Sequence, residues 1–158
     1  MRIVVLLMSA ALLPATCLAD CASEAPAAAR QFWRGHSHFY EKADDTLREV
    51  TTPRFYAALE REWACVGKKA GCVAYVPWPH PGDLSIAGHP TFYVSLDRSD
   101  HVLVSMNYAL RGDLGGAGPQ QFVILTMTPA ANSRCWLLDD VVTAEQGSFR
   151  ERFQRPPS

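Results

Sequence analysis

The sequence predicts an α+β fold: N-terminal helices packed on a curved antiparallel sheet of about four strands, with a short C-terminal helix. Three observations point there. Large apolar residues recur at three- and four-residue steps as far as Trp63. From Phe92 onward the period becomes two. A helix-capping signature, Ser148-Phe149-Arg150-Glu151, then closes the pattern. Helical and strand periods segregated along a chain mark helices gathered on one side of a sheet.

The first helix is expected around Pro26, which is tolerated in a first turn. Phe32, Trp33, Phe39 and Tyr40 would form its apolar stripe, weakened midway by Gly35. Asp44 and Asp45 mark a second start, leading through Leu47 and Val50. Thr52-Pro53 marks a third, with Thr as N-cap and Pro at the first helical position. Phe55, Tyr56, Leu59 and Trp63 supply its apolar face. Arg54, Glu60, Arg61 and Glu62 are assigned to the polar face, and Gly67 to the end.

Residues 92–96 and 102–110 alternate around the polar turn Arg98-Ser99-Asp100, the pattern of a β-hairpin. Residues 111–119, with four glycines, are expected to form a loop. Phe122 to Met127 is apolar on both faces, as in a central strand. Cys135 to Leu138 with Val141 and Val142 gives a fourth strand, and Ser148 caps the last helix.

The N-terminus sets the compartment. Arg2 precedes an uncharged run from Ile3 to Leu13, Pro14 breaks it, and Cys17-Leu18-Ala19 offers small residues for cleavage. Residues 1–19 therefore read as a secretory signal peptide, and residues 20–158 as a single exported domain, periplasmic or secreted. The apolar run is too short for a membrane span, which needs roughly 20 residues. Cys17 and Cys21 sit where a lipid-modified cysteine would sit. Thr16 and Asp20 before them fit that modification poorly, so an anchor is disfavoured. Loss of Arg2 from 15 Lys and Arg leaves 14 against 16 Asp and Glu. Such a balance gives no footprint for nucleic acid.

Without Cys17, four cysteines remain: Cys21, Cys65, Cys72 and Cys135. An even number in an exported domain reads as disulfides, and four allow three pairings. The expected set is Cys65–Cys72, around a turn rich in Gly and Lys, and Cys21–Cys135. Their spacing is wrong for zinc. No other cofactor is implied.

The chain resembles small exported bacterial proteins of unknown function in the nuclear-transport-factor-like superfamily of α+β cones. The resemblance rests on the aromatic early helix from Phe32 to Tyr40, the hairpin at 92–110 and Trp136-Leu137-Leu138-Asp139-Asp140-Val141. It covers roughly residues 26–153. It implies a cone with a pocket between sheet and helices and no one activity, since such folds host enzymes, ligand binders and interaction modules. By analogy, small exported proteins of this kind also resemble immunity proteins that neutralise delivered toxins.

The candidate sites follow from residue type. Pro77-Trp78-Pro79-His80-Pro81-Gly82-Asp83 is a stiff, extended segment. It reads as a connector whose Trp78 caps the core, or as a contact surface presenting Trp78, His80 and Asp83. Binding is assigned to those three residues, with Arg111 and Asp113 of the Gly-rich stretch. That stretch lacks the lysine and hydroxyl of a phosphate loop. Its Arg-Gly-Asp is a tripeptide that recurs by chance. His36 and His38 are two apart and point to different faces of a helix, so they do not chelate together. His80, His89 and Asp83 lack ligand spacing, and no metal site is assigned. Asp139 and Asp140, adjacent on a strand, should face opposite ways, one into a pocket as a general base and one to water.

No Gly-x-Ser-x-Gly elbow and no His-Glu-x-x-His motif is present, and disulfide formation leaves no free thiol nucleophile. The expected function is therefore a non-enzymatic binding protein of the cell envelope, with another protein as partner. Its specific form would be an immunity or inhibitor protein against a secreted toxin or hydrolase. The alternative is a small-molecule-binding or pocket-enzyme member of the cone-shaped superfamily, using Asp139 or Asp140 with a histidine.

Overall fold

The computed structural model describes residues 21–67, 75–78, 86–112, 116–131 and 133–154. The signal segment, Cys72, His80, Asp83 and Asp113 lie outside these residues. The described chain is α+β, as the change of period predicts.

Helix α1 spans Ala25–His36, with Pro26 in its first turn. It stops four residues short of the expected stripe. Gly35 sits in the last turn, and reverse turns follow, with Phe39 N–H donating to the His36 carbonyl and Glu41 N–H to that of His38. Phe39 and Tyr40 are buried all the same, because the turns fold them back into the core. The short α2, Leu47–Val50, starts where Asp44 accepts hydrogen bonds from the Thr46 N–H and hydroxyl. Helix α3, Pro53–Val66, carries the expected cap: the Thr52 hydroxyl accepts from Phe55 N–H at 3.3 Å. Gly67 ends it in a right-handed conformation, with its N–H on the Trp63 carbonyl.

Five antiparallel strands follow in sequence order: β1 Ile86–Asp97, β2 Val102–Arg111, β3 Ala117–Pro129, β4 Trp136–Thr143 and β5 Gly147–Ser148. Helix α4, Phe149–Gln154, closes the described chain. Strand β3 begins inside the stretch assigned to a loop. Glycine permits this at position 118, where a Cβ would lie 2.9 Å from the Leu110 carbonyl. Strand β1 begins six residues before the alternation is visible, because irregularities at 87–91 and 94–96 shift its register against β2. Gly88, at φ +79°, occupies the first of them.

The helices cover one face of the sheet. Phe92, Val104, Met106, Val123, Leu125 and Leu138 are buried there against Phe32, Leu47, Phe55 and Leu59. Phe39 sits at the centre of the aromatic packing, with ring centroids of Phe32, Trp78 and Phe149 each 5.6 Å away. Rings at this separation add to the stabilisation from burial alone.

The Cys21–Cys135 bridge is present, with Cα atoms 5.4 Å apart, and ties the start of the described chain to the approach to β4. Cys65 is also disulfide-bonded, while its expected partner Cys72 lies outside the described residues. Among the described residues no helix is long and apolar enough to cross a membrane.

Candidate functional site

The densest polar cluster is built on an irregularity in β4. Thr126 of β3 pairs with Asp140, but Met127 pairs with Leu138, so Asp139 is an extra residue in the ladder. A bulge of this kind breaks the alternation of faces. Leu138, Asp139, Asp140 and Val141 are consequently all buried. The expectation that one aspartate faces water is corrected: the bulge turns both carboxylates into the protein.

Asp139 is met by four donors. Its Oδ1 accepts from the Thr52 hydroxyl at 2.6 Å and from Arg54 Nε at 2.5 Å. Its Oδ2 accepts from Arg54 Nη2 at 2.5 Å and from Arg150 Nη1. Two carboxylate oxygens offer about four lone-pair sites, so this group is saturated. Burial pushes its pKa up. The hydrogen bonds from Arg54 and Thr52, with the charges of Arg150 and Arg54, outweigh burial and hold the carboxyl below its ordinary value.

Asp140 has a different set. Its Oδ1 accepts from the N–H groups of Val141 at 2.8 Å and Arg150 at 3.0 Å, and its Oδ2 accepts from the Ser148 hydroxyl. Here burial dominates, and the carboxyl is raised above its ordinary value against the pull of those bonds. Ser148 in turn accepts from Glu151 N–H at 3.0 Å, the serine half of the capping box read from the sequence.

The two aspartates thus fasten the starts of two helices to one strand. Thr52 joins in through its backbone, donating to the Leu138 carbonyl at 2.9 Å. A carboxylate with every lone pair occupied does not readily take a proton from a substrate, so Asp139 is placed to hold α3 and α4. The sequence contains the pieces of this clamp, Thr52, Arg54, Asp139 and Arg150, but they lie up to 98 positions apart and no local spacing joins them.

Glu62, expected on the polar face of α3, is fully buried. Its Oε1 accepts from Tyr75 N–H at 3.2 Å, while Oε2 is buried without a hydrogen-bond partner. Burial pushes its pKa up, opposed by that hydrogen bond and by the charge of Arg152. A signal for this placement exists: Glu62 follows Phe55 by seven residues and Leu59 by three, the spacing of the buried stripe. Tyr75 completes the seat, its hydroxyl donating toward the carbonyls of Val141 and Gly147, both at 2.9 Å.

Trp78 is not a presented side chain. It is 1% exposed, and its Nε1 donates to the Ser37 carbonyl at 3.2 Å. The contact-surface reading of this residue is corrected to the connector reading: the stiff segment delivers an indole into the aromatic core. Arg111 ends β2 and is exposed, opposite Ala117. His36 Nδ1 lies 3.8 Å from Asp44 and His38 Nδ1 lies 3.2 Å from Glu41, so the two imidazoles face different acids. Among the described residues no three His, Cys, Asp or Glu side chains gather as a metal site would require.

The face of the sheet away from the helices is uncovered among the described residues. Register places Tyr93, Ser105, Ile124 and Val142 in one row across it, and Thr91, Asn107 and Phe122 in the next. Tyr93 is 48% exposed and Phe122 56%. Residues 90–96, 102–110 and 117–129 contain no Asp, Glu, Lys or Arg. Compared with known protein families, characterised proteins and solved structures, the chain matches none.

Proposed function

We propose that this chain is an exported, non-enzymatic binding protein that engages another protein through the uncovered face of its sheet. The observation that carries the reading is the charge-free expanse around Tyr93, Leu103, Ile124 and Phe122. Solvent-facing sheets normally alternate apolar with polar or charged residues. Uncharged, aromatic-bearing patches of this kind are typical of protein contact surfaces. The edge of β1 is a poorer docking site. Its two register irregularities and Pro90 break the run of free backbone groups that an incoming strand needs. The saturated state of Asp139 supports the non-enzymatic reading, and the signal-like N-terminus and the Cys21–Cys135 bridge support action outside the cytoplasm.

The specific form we favour is an immunity or inhibitor protein for a secreted toxin or hydrolase, as the resemblance to small exported proteins suggests. Site-specific photo-crosslinking tests the surface. A crosslinker at Tyr93 should trap one defined protein from envelope extracts, and one at Arg48 on the helical side should not. Adducts that are the same from both positions, or none from Tyr93, would overturn the assignment. A gene for the trapped protein beside that of this chain would support the immunity form.

A further inference from the structure

At one end of the sheet, separate from the aspartate clamp, lies an open cleft of about 460 Å³. Its walls are mixed: Val76, Leu110, Tyr108 and Phe122 form the apolar part, and Gln121, Thr143 and Gln146 the neutral polar part. Val76 and Phe122 are more than half exposed, at 54% and 56%. Glu145 lines the same cleft, and no Lys, Arg or His does among the described residues. The Glu145 carboxylate has no ion-pair or hydrogen-bond partner among the described residues, and the Tyr108 hydroxyl likewise makes no hydrogen bond there. The Tyr108 hydroxyl nonetheless lies within the field of that carboxylate. Burial raises the Tyr108 pKa first, and the negative charge of Glu145 raises it further.

We propose that this cleft binds an organic cation carried on an apolar stem, a primary ammonium or a guanidinium. The Glu145 carboxylate pairs with the cation, the Tyr108 hydroxyl accepts one of its hydrogens, and Phe122, Val76 and Leu110 take the stem. The volume lies in the range of small-ligand sites, roughly 300–1,000 Å³. The chemistry is complementary in each part. An uncommitted carboxylate at a half-apolar wall favours a positive charge, and the exposed face of Phe122 attracts a cation through its ring quadrupole. An anionic ligand would meet the like charge of Glu145 and no cationic side chain among the described residues, with only neutral donors such as Gln121 and Thr143 to offset the repulsion. This site borders the protein-binding face and shares Phe122 with it, but its chemistry rests on Glu145 rather than on that reading; a free amine and the side chain of an arginine or lysine share that chemistry.

The test is titration of the ¹⁵N-labelled exported chain, residues 20–158, with three probes of similar shape: phenethylammonium, 2-phenylethanol and phenylacetate. Phenethylammonium should give saturable shifts at the amides of Tyr108, Phe122 and Glu145, with Kd on the order of 1 mM for so small a ligand. Phenylacetate should bind at least about tenfold more weakly. Glu145→Gln, an exposed and isosteric change, should weaken phenethylammonium about tenfold while leaving 2-phenylethanol unchanged. Phe122→Ala should weaken both. A parallel titration with N-acetyl-arginine amide separates the sources: tighter, Glu145-dependent binding of that probe points to a side chain of a partner, and tighter binding of the amine to a free metabolite. Unsaturable shifts, equal binding of phenylacetate, or an unchanged Kd in Glu145→Gln would each overturn the proposal.

Discussion

Asp139 and Glu62 are both buried carboxylates, and the protein treats them in opposite ways. Asp139 receives four donors, three of them from two arginine side chains that partly reach solvent. Glu62 receives one backbone N–H and leaves Oε2 unpartnered. Burial pushes both pKa values up, but only at Asp139 do the partners reverse the direction. Burial itself therefore does not say what an acid contributes. The partners decide whether the ionised form holds the fold together or works against it.

The comparison breaks most visibly at Asp139. Asp139→Ala should cost about 3–5 kcal/mol, because it strips a buried partner from Arg150 and Thr52 together. Urea denaturation at pH 7 measures it. A loss below 1 kcal/mol would mean that the clamp is ornamental. The sign with pH follows from the lowered pKa: stability from Asp139 is complete above its ordinary value of 3.8 and is lost as pH falls through the still lower folded value.

The Cys21–Cys135 bridge separates tethering by side chains from tethering by a covalent link. It encloses 114 positions of chain, so removing both thiols as serines should cost about 2–5 kcal/mol in the chain-entropy picture. The loss should show as a lowered Tm with α3 and β4 still hydrogen-exchange protected near the clamp. Loss of protection at Thr52 as well would show that clamp and bridge act as one unit.

Glu62 should move the other way. Its raised pKa means that the folded state prefers the protonated acid. That contribution is fully present below the ordinary value of 4.5 and is lost as pH rises through the higher folded value. Glu62→Gln keeps an acceptor for Tyr75 N–H and removes the ionisation, so it should stabilise by about 1 kcal/mol at pH 7 and by little at pH 4. A variant that destabilises more at pH 7 than at pH 4 would show that the ionised carboxylate has a favourable partner after all.

How much of this was legible follows from the range of each interaction. The caps at Thr52 and Ser148 were readable because donor and acceptor lie three residues apart, and the hairpin was readable because alternation is local. The Cys21–Cys135 pair was readable only because few pairings exist. The bulge at Asp139 was not, since it arises from how β4 meets β3 rather than from anything in Trp136 to Thr143 itself. Trp78 stays open between core cap and contact surface for a related reason: prolines announce stiffness, but only the position of Phe39 and Ser37 decides which way the indole is aimed. The charge-free face was present in the strand sequences throughout. Alternation alone did not reveal it, because both faces of β2 and β3 are apolar enough to pass as core.

The smallest expected effect concerns that face. Tyr93 is nearly half exposed and its hydroxyl accepts from Asn107 Nδ2 at 3.1 Å, an exposed bond worth little. Tyr93→Ser should therefore change stability by no more than about 0.5 kcal/mol, as surface substitutions usually do. Phe92, its neighbour on the covered face, is 8% exposed and packs on Trp33, so Phe92→Ala should cost about 3 kcal/mol by comparison. Binding should invert the order. Loss of an aromatic from the centre of a docking face typically weakens a complex by 2 kcal/mol or about thirtyfold, with the fold intact. If Tyr93→Ser instead lowers stability as much as Phe92→Ala, the outer face is part of the core and the partner must dock elsewhere.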